Sequence, residues 1–74
     1  MLRIEARTRN PAERHGYSRD NLADFALLES RSEATRQSRD YWRRGYWVEV
    51  YHERTNELMA GPIDPDEPFP SYIV

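Results

Sequence analysis

Apolar and polar side chains alternate from residue 2 to residue 8. The apolar residues of this stretch are Leu2, Ile4 and Ala6, and the charged residues between them are Arg3, Glu5 and Arg7. A period of two is typical of a strand with one buried face, so the pattern predicts a first strand here. Residues 9–22 contain Pro11, Gly16 and two asparagines, which predicts a connection.

The next stretch, residues 19–29, leaves two interpretations open. Phe25 and Leu27 alternate with their neighbours as in a strand, whereas Ser18 followed by Asp20 would also begin a short helix. We prefer a strand from residue 23 to residue 29. A helix follows almost at once, and the sheet needs further pairing.

Helical spacing begins after residue 31. Four residues of mainly apolar character fall at i, i+4, i+7 and i+8 and would share one helix face, namely Ala34, Ser38, Tyr41 and Trp42. Ser32 is the predicted N-cap, and the predicted helix runs to Arg44. Gly45 is the expected left-handed residue that ends it.

Alternation returns after the glycine. Residues 46–53 place Tyr46, Val48, Val50 and His52 on one side and Trp47, Glu49, Tyr51 and Glu53 on the other. A polar turn follows, and residues 58–63 predict a further strand ended by proline. Residues 64–74 hold three prolines and three carboxylates, and they predict an extended acidic tail.

These elements predict an α+β domain over residues 1–63, followed by the tail over residues 64–74. The order is ββαββ: a four-stranded, mostly antiparallel sheet with one helix on one face. A single helix covers one face, so the other is expected to be open. Its expected residues are Arg3, Glu5, Arg7, Trp47, Glu49, Tyr51 and Glu53.

The composition sets limits on the class of protein. The 74 residues include no cysteine, which excludes disulfides and thiolate metal sites. The first residues lack the apolar run of a signal peptide or membrane span, so we expect a soluble cytoplasmic domain. A core this small gains from further burial, which a homodimer or a larger partner would supply.

All eleven basic residues are arginine. GC-rich coding explains this, and we prefer that interpretation to selection of guanidinium groups for carboxylate or phosphate partners. The net charge of −2 argues against a general nucleic-acid binder, although a local basic stripe is compatible with it.

No motif predicts an enzyme, a cofactor or a metal site. His15 and His52 have no neighbouring nucleophile pattern, and the three glycines do not form a phosphate loop. The carboxylates of residues 64–67 lack the spacing of a calcium loop.

Two surfaces are candidates for binding a nucleic acid. Arg36, Arg39 and Arg43 would form a basic stripe on the helix, and Trp47 with Tyr51 would form a stacking platform. We prefer the alternatives: a solvated helix face partly neutralised by Asp40 pairing with Arg36, and aromatic rings packed on the arginine side chains of the first strand.

A protein-binding role accounts for more of the pattern. The open face combines aromatic residues, arginine and glutamate, and aromatic residues and arginine are enriched at binding hot spots. The candidate partner-binding residues are Trp47, Glu49, Tyr51 and Glu53. The tail would hold a dimer mate or a target, or fold back on the edge of its own sheet.

The layout of two strands, a serine-capped helix (SEATRQSRDYWRRG) and a hairpin (YWVEVYHERTNELMAGP) resembles small ββαββ proteins of phages and mobile elements, including some anti-CRISPR proteins. The resemblance covers residues 2–63 in architecture and size, without shared signature residues. It implies a non-enzymatic inhibitor that occupies a nucleic-acid-binding surface on a bacterial CRISPR effector complex. Glu49, Glu53 and the acidic tail would then meet a basic groove. The layout also resembles double-stranded-RNA-binding folds, but the missing lysines and the negative charge depart from that family.

Overall fold

The computed structural model describes residues 1–11 and 21–71. It contains four strands and one helix in the order β1 (Leu2–Arg7), β2 (Leu22–Leu28), α1 (Arg31–Arg43), β3 (Trp47–His52) and β4 (Glu57–Ile63). The predicted ββαββ order and α+β class are confirmed.

The strands form one antiparallel sheet in the order β2-β1-β3-β4. β1 and β3 lie at the centre, where Ile4 is opposite Val50 and Arg3 is opposite Tyr51. α1 packs over these two central strands, so the sheet has a helix face and an open face. β2 and β4 form its two edges.

The strand interpretation of the second apolar stretch is correct, because β2 occupies Leu22–Leu28. It pairs with β1 along its whole length, with one register shift near Arg7. Pairing with β1 outweighs any local tendency towards a helix. The alternative caps Ser18 and Asp20 lie outside the described residues, as do most of the predicted connection and residues 72–74.

The predicted N-cap was wrong, since the helix begins after Ser30 and not at Ser32. Ser30 is extended, with φ −106° and ψ 154°, and its hydroxyl oxygen accepts a hydrogen bond of 3.2 Å from the Glu33 backbone N–H. The hydroxyl also donates to the Glu33 carboxylate at 3.0 Å. A serine three residues before a glutamate suits a capping box, and this spacing selects Ser30.

The C-terminal end of the helix confirms the predicted glycine stop. α1 ends at Arg43 rather than Arg44, and Arg44 is its C-cap. Gly45 follows with φ +89°, in the left-handed region that favours glycine. The chain then turns directly into β3.

The core lies between α1 and the sheet. Its buried apolar side chains are Leu2, Ile4, Ala6, Ala34, Tyr41, Val48, Val50 and Ile63. Period-two alternation therefore places the predicted residues of β1 and β3 under the helix. Ser38 is also buried on the helix face, and Trp42 is partly buried there, as its spacing predicted.

β4 is an irregular strand. Its pairing with β3 shifts register twice, between Val48 and Val50 and between Val50 and Tyr51. Gly61 lies in this region with φ +102°, and a Cβ atom there would be 2.5 Å from the Val48 carbonyl oxygen. Only glycine permits this close approach of two backbones.

The first part of the tail packs against the helix. The Trp42 indole N–H donates to the backbone oxygens of Asp64 at 3.2 Å and Glu67 at 2.9 Å. The centres of the Phe69 and Trp42 rings are 5.5 Å apart, and the Arg39 guanidinium carbon lies 5.1 Å from the centre of the Phe69 ring. These contacts hold residues 64–69 along the last turns of α1.

Candidate protein-binding face

The centre of the open face is an ion-pair network rather than a set of free charges. Its members are Arg3, Glu5, Arg7, Glu49 and Glu53. Glu5 joins the two arginines, because its two carboxylate oxygens accept from Arg3 at 2.9 Å and from Arg7 at 2.8 Å. Most of the charge on this face is therefore satisfied within the protein itself.

Arg3 connects three polar groups and one aromatic ring. Besides Glu5, it donates to the Glu53 carboxylate and to the Asn56 side-chain oxygen. Asn56 lies in the turn before β4 with φ 60°. Burial lowers the pKa of Arg3, but the hydrogen bonds to Glu53 and Glu5 outweigh this effect and raise it. Arg3 is thus a fixed cation in the middle of the sheet.

Arg7 and Glu49 form the most buried pair of the network. Arg7 Nε donates to Glu49 at 3.2 Å, and Arg7 Nη1 donates to the Asn21 side-chain oxygen at 2.7 Å. Only 1% of the Glu49 residue is exposed. A buried carboxylate is tolerated when an arginine pairs with it, so losing either member alone would leave an uncompensated buried charge.

The four predicted partner-binding residues differ in accessibility. Trp47 and Tyr51 are half-buried on the open face, as predicted, and Glu53 is half-buried while bound to Arg3. The Arg3 guanidinium lies over the Tyr51 ring, which is the contact that the packing interpretation predicted. Glu49 is fully covered, so a partner cannot contact its side chain on this face.

Three exposed apolar residues of the open face were missed by the sequence analysis. Phe25 is 54% exposed, Leu27 is 44% exposed and Leu58 is 43% exposed. Leu27 lies directly opposite Arg3, and Leu58 lies directly opposite Tyr51. Residues paired in this way share one face of the sheet.

One row of side chains therefore crosses all four strands of the open face. We call it the crossing row, and its members in order are Leu27, Arg3, Tyr51 and Leu58. Its two ends are exposed leucines and its centre is a cation–π pair. Phe25, opposite Glu5, extends the apolar end on β2. An exposed apolar surface around a fixed arginine and an aromatic ring has the chemistry of a protein-binding site.

The predicted arginine stripe is present on the helix. Arg36, Arg39 and Arg43 are exposed and line one shallow surface with Ser32 and Thr35. The expected pairing of Asp40 with Arg36 was wrong, because Asp40 binds Arg44 one turn further on. Within residues 1–11 and 21–71, none of the three arginines of the stripe forms an ion pair.

Tyr41 has the one strongly shifted acid group in the described part of the chain. Burial, and next the negative charge of Asp24, raise the pKa of the Tyr41 hydroxyl from 10.0 to about 12. Hydrogen bonding to the Asp24 carboxylate adds to this rise in the pKa. Since Asp24 lies on β2, this contact ties the helix to the edge strand.

Neither a metal cluster nor a membrane-spanning helix is found within the described ranges. No three histidine, aspartate or glutamate side chains come together there as metal ligands, and α1 is too short and polar to cross a bilayer. His52 lies half-buried at the end of β3, and His15 lies outside the described residues.

Comparisons of this chain with protein-family models, with curated protein sequences and with solved structures found no match.

Proposed function

We propose that this chain is a small protein-binding protein that contacts its partner through the open face of the sheet. The contact is centred on the crossing row and includes Phe25. The chain acts by binding, without a catalytic step. The observation that carries the proposal is the exposure of three large apolar side chains on the one sheet face that the helix leaves uncovered.

The electrostatics of this face support a protein partner over a nucleic acid. The network holds two arginines and three glutamates, so its formal charge is −1. Phosphates would meet carboxylates beside every arginine. A protein surface with apolar side chains would instead cover the leucines and Phe25 without separating the ion pairs.

The architectural resemblance to small ββαββ proteins of phages and mobile elements suggests a class of partner to propose. Small ββαββ proteins of the anti-CRISPR type inhibit bacterial nucleic-acid-targeting complexes, and we propose such a complex in the bacterial cytoplasm as the first class to test. In this proposal the crossing row contacts the complex. Glu53 and the carboxylates of the tail lie near its basic surfaces.

The experiment is a capture from nuclease-treated bacterial lysate, followed by a binding assay with the purified partner. Wild-type protein is compared with the double variant Tyr51→Ala and Leu58→Ala, which removes half of the crossing row. We expect the double variant to bind the same partner at least about tenfold more weakly, since hot-spot residues contribute about 1–2 kcal/mol or more each.

Arg36→Ala on the helix is the matched control and should bind as the wild type does. Equal affinity of the wild type and the double variant would contradict the proposal. Inhibition of a CRISPR effector complex by the wild type, but not by the double variant, would assign the class of partner.

A second candidate function is binding of a nucleic-acid backbone by the arginine stripe. The observation in its favour is that Asp40 pairs with Arg44 and leaves Arg36 available. Arg36 to Arg43 covers two turns of the helix, about 10 Å, which is compatible with contacts to successive phosphates.

Direct titration with duplex and single-stranded DNA and RNA tests this candidate. If the arginine stripe is only a solvated helix face, DNA and RNA should bind it weakly, and this binding should disappear as the salt concentration rises. Sub-micromolar binding at physiological salt, lost in the double variant Arg36→Ala and Arg39→Ala, would establish the second function in place of the first.

A further inference from the structure

The free edge of β2 is a second surface, separate in position from the centre of the open face. Among the described residues, β2 pairs with β1 alone and lies at one edge of the sheet. Its sequence, LADFALL, has one charged residue and no proline, lysine or arginine. An edge strand without such residues presents its backbone groups to another strand.

The opposite edge is protected in a way that β2 is not. β4 changes register twice against β3, and it contains Gly61 and Pro62. Proline has no N–H to donate, and an irregular strand cannot form a long ladder. β2 is therefore the edge that can accept a further strand.

The pairing of β1 shows which backbone groups of β2 point outward. The Glu53 N–H donates to the Met1 carbonyl, so the odd-numbered residues of β1 bond towards β3 and the even-numbered ones bond towards β2. The β2 partners of the even-numbered residues are Leu28, Ala26 and Asp24. Phe25 and Leu27 consequently direct their N–H and C=O groups away from the sheet.

The hydrogen bond of the Phe25 N–H agrees with this direction. It donates to the carboxylate of its neighbour Asp24 at 2.8 Å rather than to β1. Asp24 is exposed at the edge, so its carboxylate can be displaced when a strand arrives. A pair of backbone hydrogen bonds at Phe25 would replace this one contact.

We propose that the partner at this edge is a second copy of the chain, with the two β2 strands antiparallel about a two-fold axis at Phe25. This register pairs all seven residues of one β2 with all seven of the other. It places Phe25 opposite Phe25 of the second copy and Asp24 opposite Ala26 of the second copy. No like charges face each other in the pairing.

The dimer joins two sheets into one of eight strands. The exposed rings of the two Phe25 residues meet on the open face, with Leu27 of each copy beside them. Two-fold pairing of identical surfaces closes the assembly, since each edge is used once. Within the described ranges the core cluster holds only eight buried apolar residues, so covering this strip adds burial that a single copy lacks.

The test replaces Phe25, which would lie opposite Phe25 of the second copy, with a positively charged residue in one variant and a negatively charged residue in another. The mass in solution is measured by light scattering for wild type, for Phe25→Lys, for Phe25→Asp and for an equal mixture of the two variants. Circular dichroism and thermal unfolding establish that each variant is folded. Leu58→Lys on the opposite edge strand is the control.

We expect a dimer for wild type and for Leu58→Lys, and a mass of 8.9 kDa for each Phe25 variant alone. The mixture should recover the dimer, because lysine and aspartate then lie opposite each other. The proposal is overturned if the wild type stays monomeric at protein concentrations up to about 1 mM. It is also overturned if the Phe25 variants remain dimers. A folded mixture that stays monomeric would also overturn it. The two tests remain distinguishable, because the variants of the partner-binding assay, Tyr51→Ala and Leu58→Ala, lie on β3 and β4 and leave β2 unchanged.

Discussion

The Arg3 guanidinium lies 4.8 Å from the centre of the Tyr51 ring, and the two residues are direct cross-strand neighbours on β1 and β3. Glu5, Glu53 and Asn56 hold the same guanidinium in place. The Tyr51 ring is therefore fixed before any partner arrives. A side chain that is already ordered loses little conformational entropy on binding, which favours its use as an anchor.

Removing one member of the buried Arg7–Glu49 pair should be strongly destabilising. Arg7→Met leaves the Glu49 carboxylate buried without its cation, and we expect a loss of about 3 kcal/mol or more in the free energy of unfolding. Urea denaturation measures this loss. The exposed Arg9→Met is the control and should change stability by less than about 0.5 kcal/mol.

The double variant Arg7→Met and Glu49→Leu should recover most of that stability, because no unpaired charge remains. If Arg7→Met alone unfolds in the same urea concentration as wild type, the pair does not stabilise the centre of the open face.

Gly45 and Gly61 both have a left-handed backbone, but they should differ in their response to alanine. A Cβ atom at Gly61 would lie 2.5 Å from the Val48 oxygen, whereas a Cβ atom at Gly45 would have no atom within 4 Å. Gly45→Ala should cost about 1 kcal/mol from the positive φ alone. Gly61→Ala should cost at least about 2 kcal/mol, because β3 and β4 must also separate. Equal midpoints of thermal unfolding for the two variants would contradict the close approach.

Stability should fall at high pH because of Tyr41. Its pKa is raised from 10.0 to about 12 in the folded protein, so between these values the unfolded chain loses the proton while the folded one keeps it. The contribution, about 2 kcal/mol, is present below pH 10 and is lost as the pH rises to 12. Chemical denaturation at pH 9 and at pH 11, where about half of the contribution should be lost, measures the effect in wild type and in Tyr41→Phe. A pH dependence as steep in Tyr41→Phe as in wild type would assign the effect to other groups.

The tail should depend on Trp42 for its position. Trp42→Ala removes two hydrogen bonds and the ring contact with Phe69. We expect faster hydrogen exchange and faster proteolysis over residues 64–71, with a loss of local opening free energy of about 1–2 kcal/mol. Trp47→Ala on the open face is the matched control and should leave the tail protected. Equal cleavage of the two variants would show that other contacts hold the tail.

The fold was largely predictable from local patterns. Alternation in β1 and β3 identified Val48 and Val50 as core residues, and helical spacing identified Ala34 and Tyr41. The N-cap was placed at Ser32 instead of Ser30, because two serines lie two residues apart. Glu33 distinguishes them, since it follows Ser30 by the three residues of a capping box. That spacing is visible in the sequence.

The open face was harder to predict, because its contacts join distant parts of the chain. Arg7 and Glu49 are 42 residues apart, so no local pattern shows that they neutralise each other. The alternation of Phe25 and Leu27 with their neighbours indicates a strand but does not show that these two side chains are exposed. Their exposure follows from the position of β2 at the edge of the sheet, which depends on the strand order.

Site-specific photo-crosslinking in bacterial cells shows whether the open face contacts a protein partner. A photoreactive phenylalanine analogue replaces Leu58 on the open face in one variant and Arg36 on the helix in another. The account predicts a crosslinked protein partner from position 58 that withstands nuclease treatment, and none from position 36. Crosslinks from position 36 alone, or crosslinks that disappear with nuclease, would contradict it.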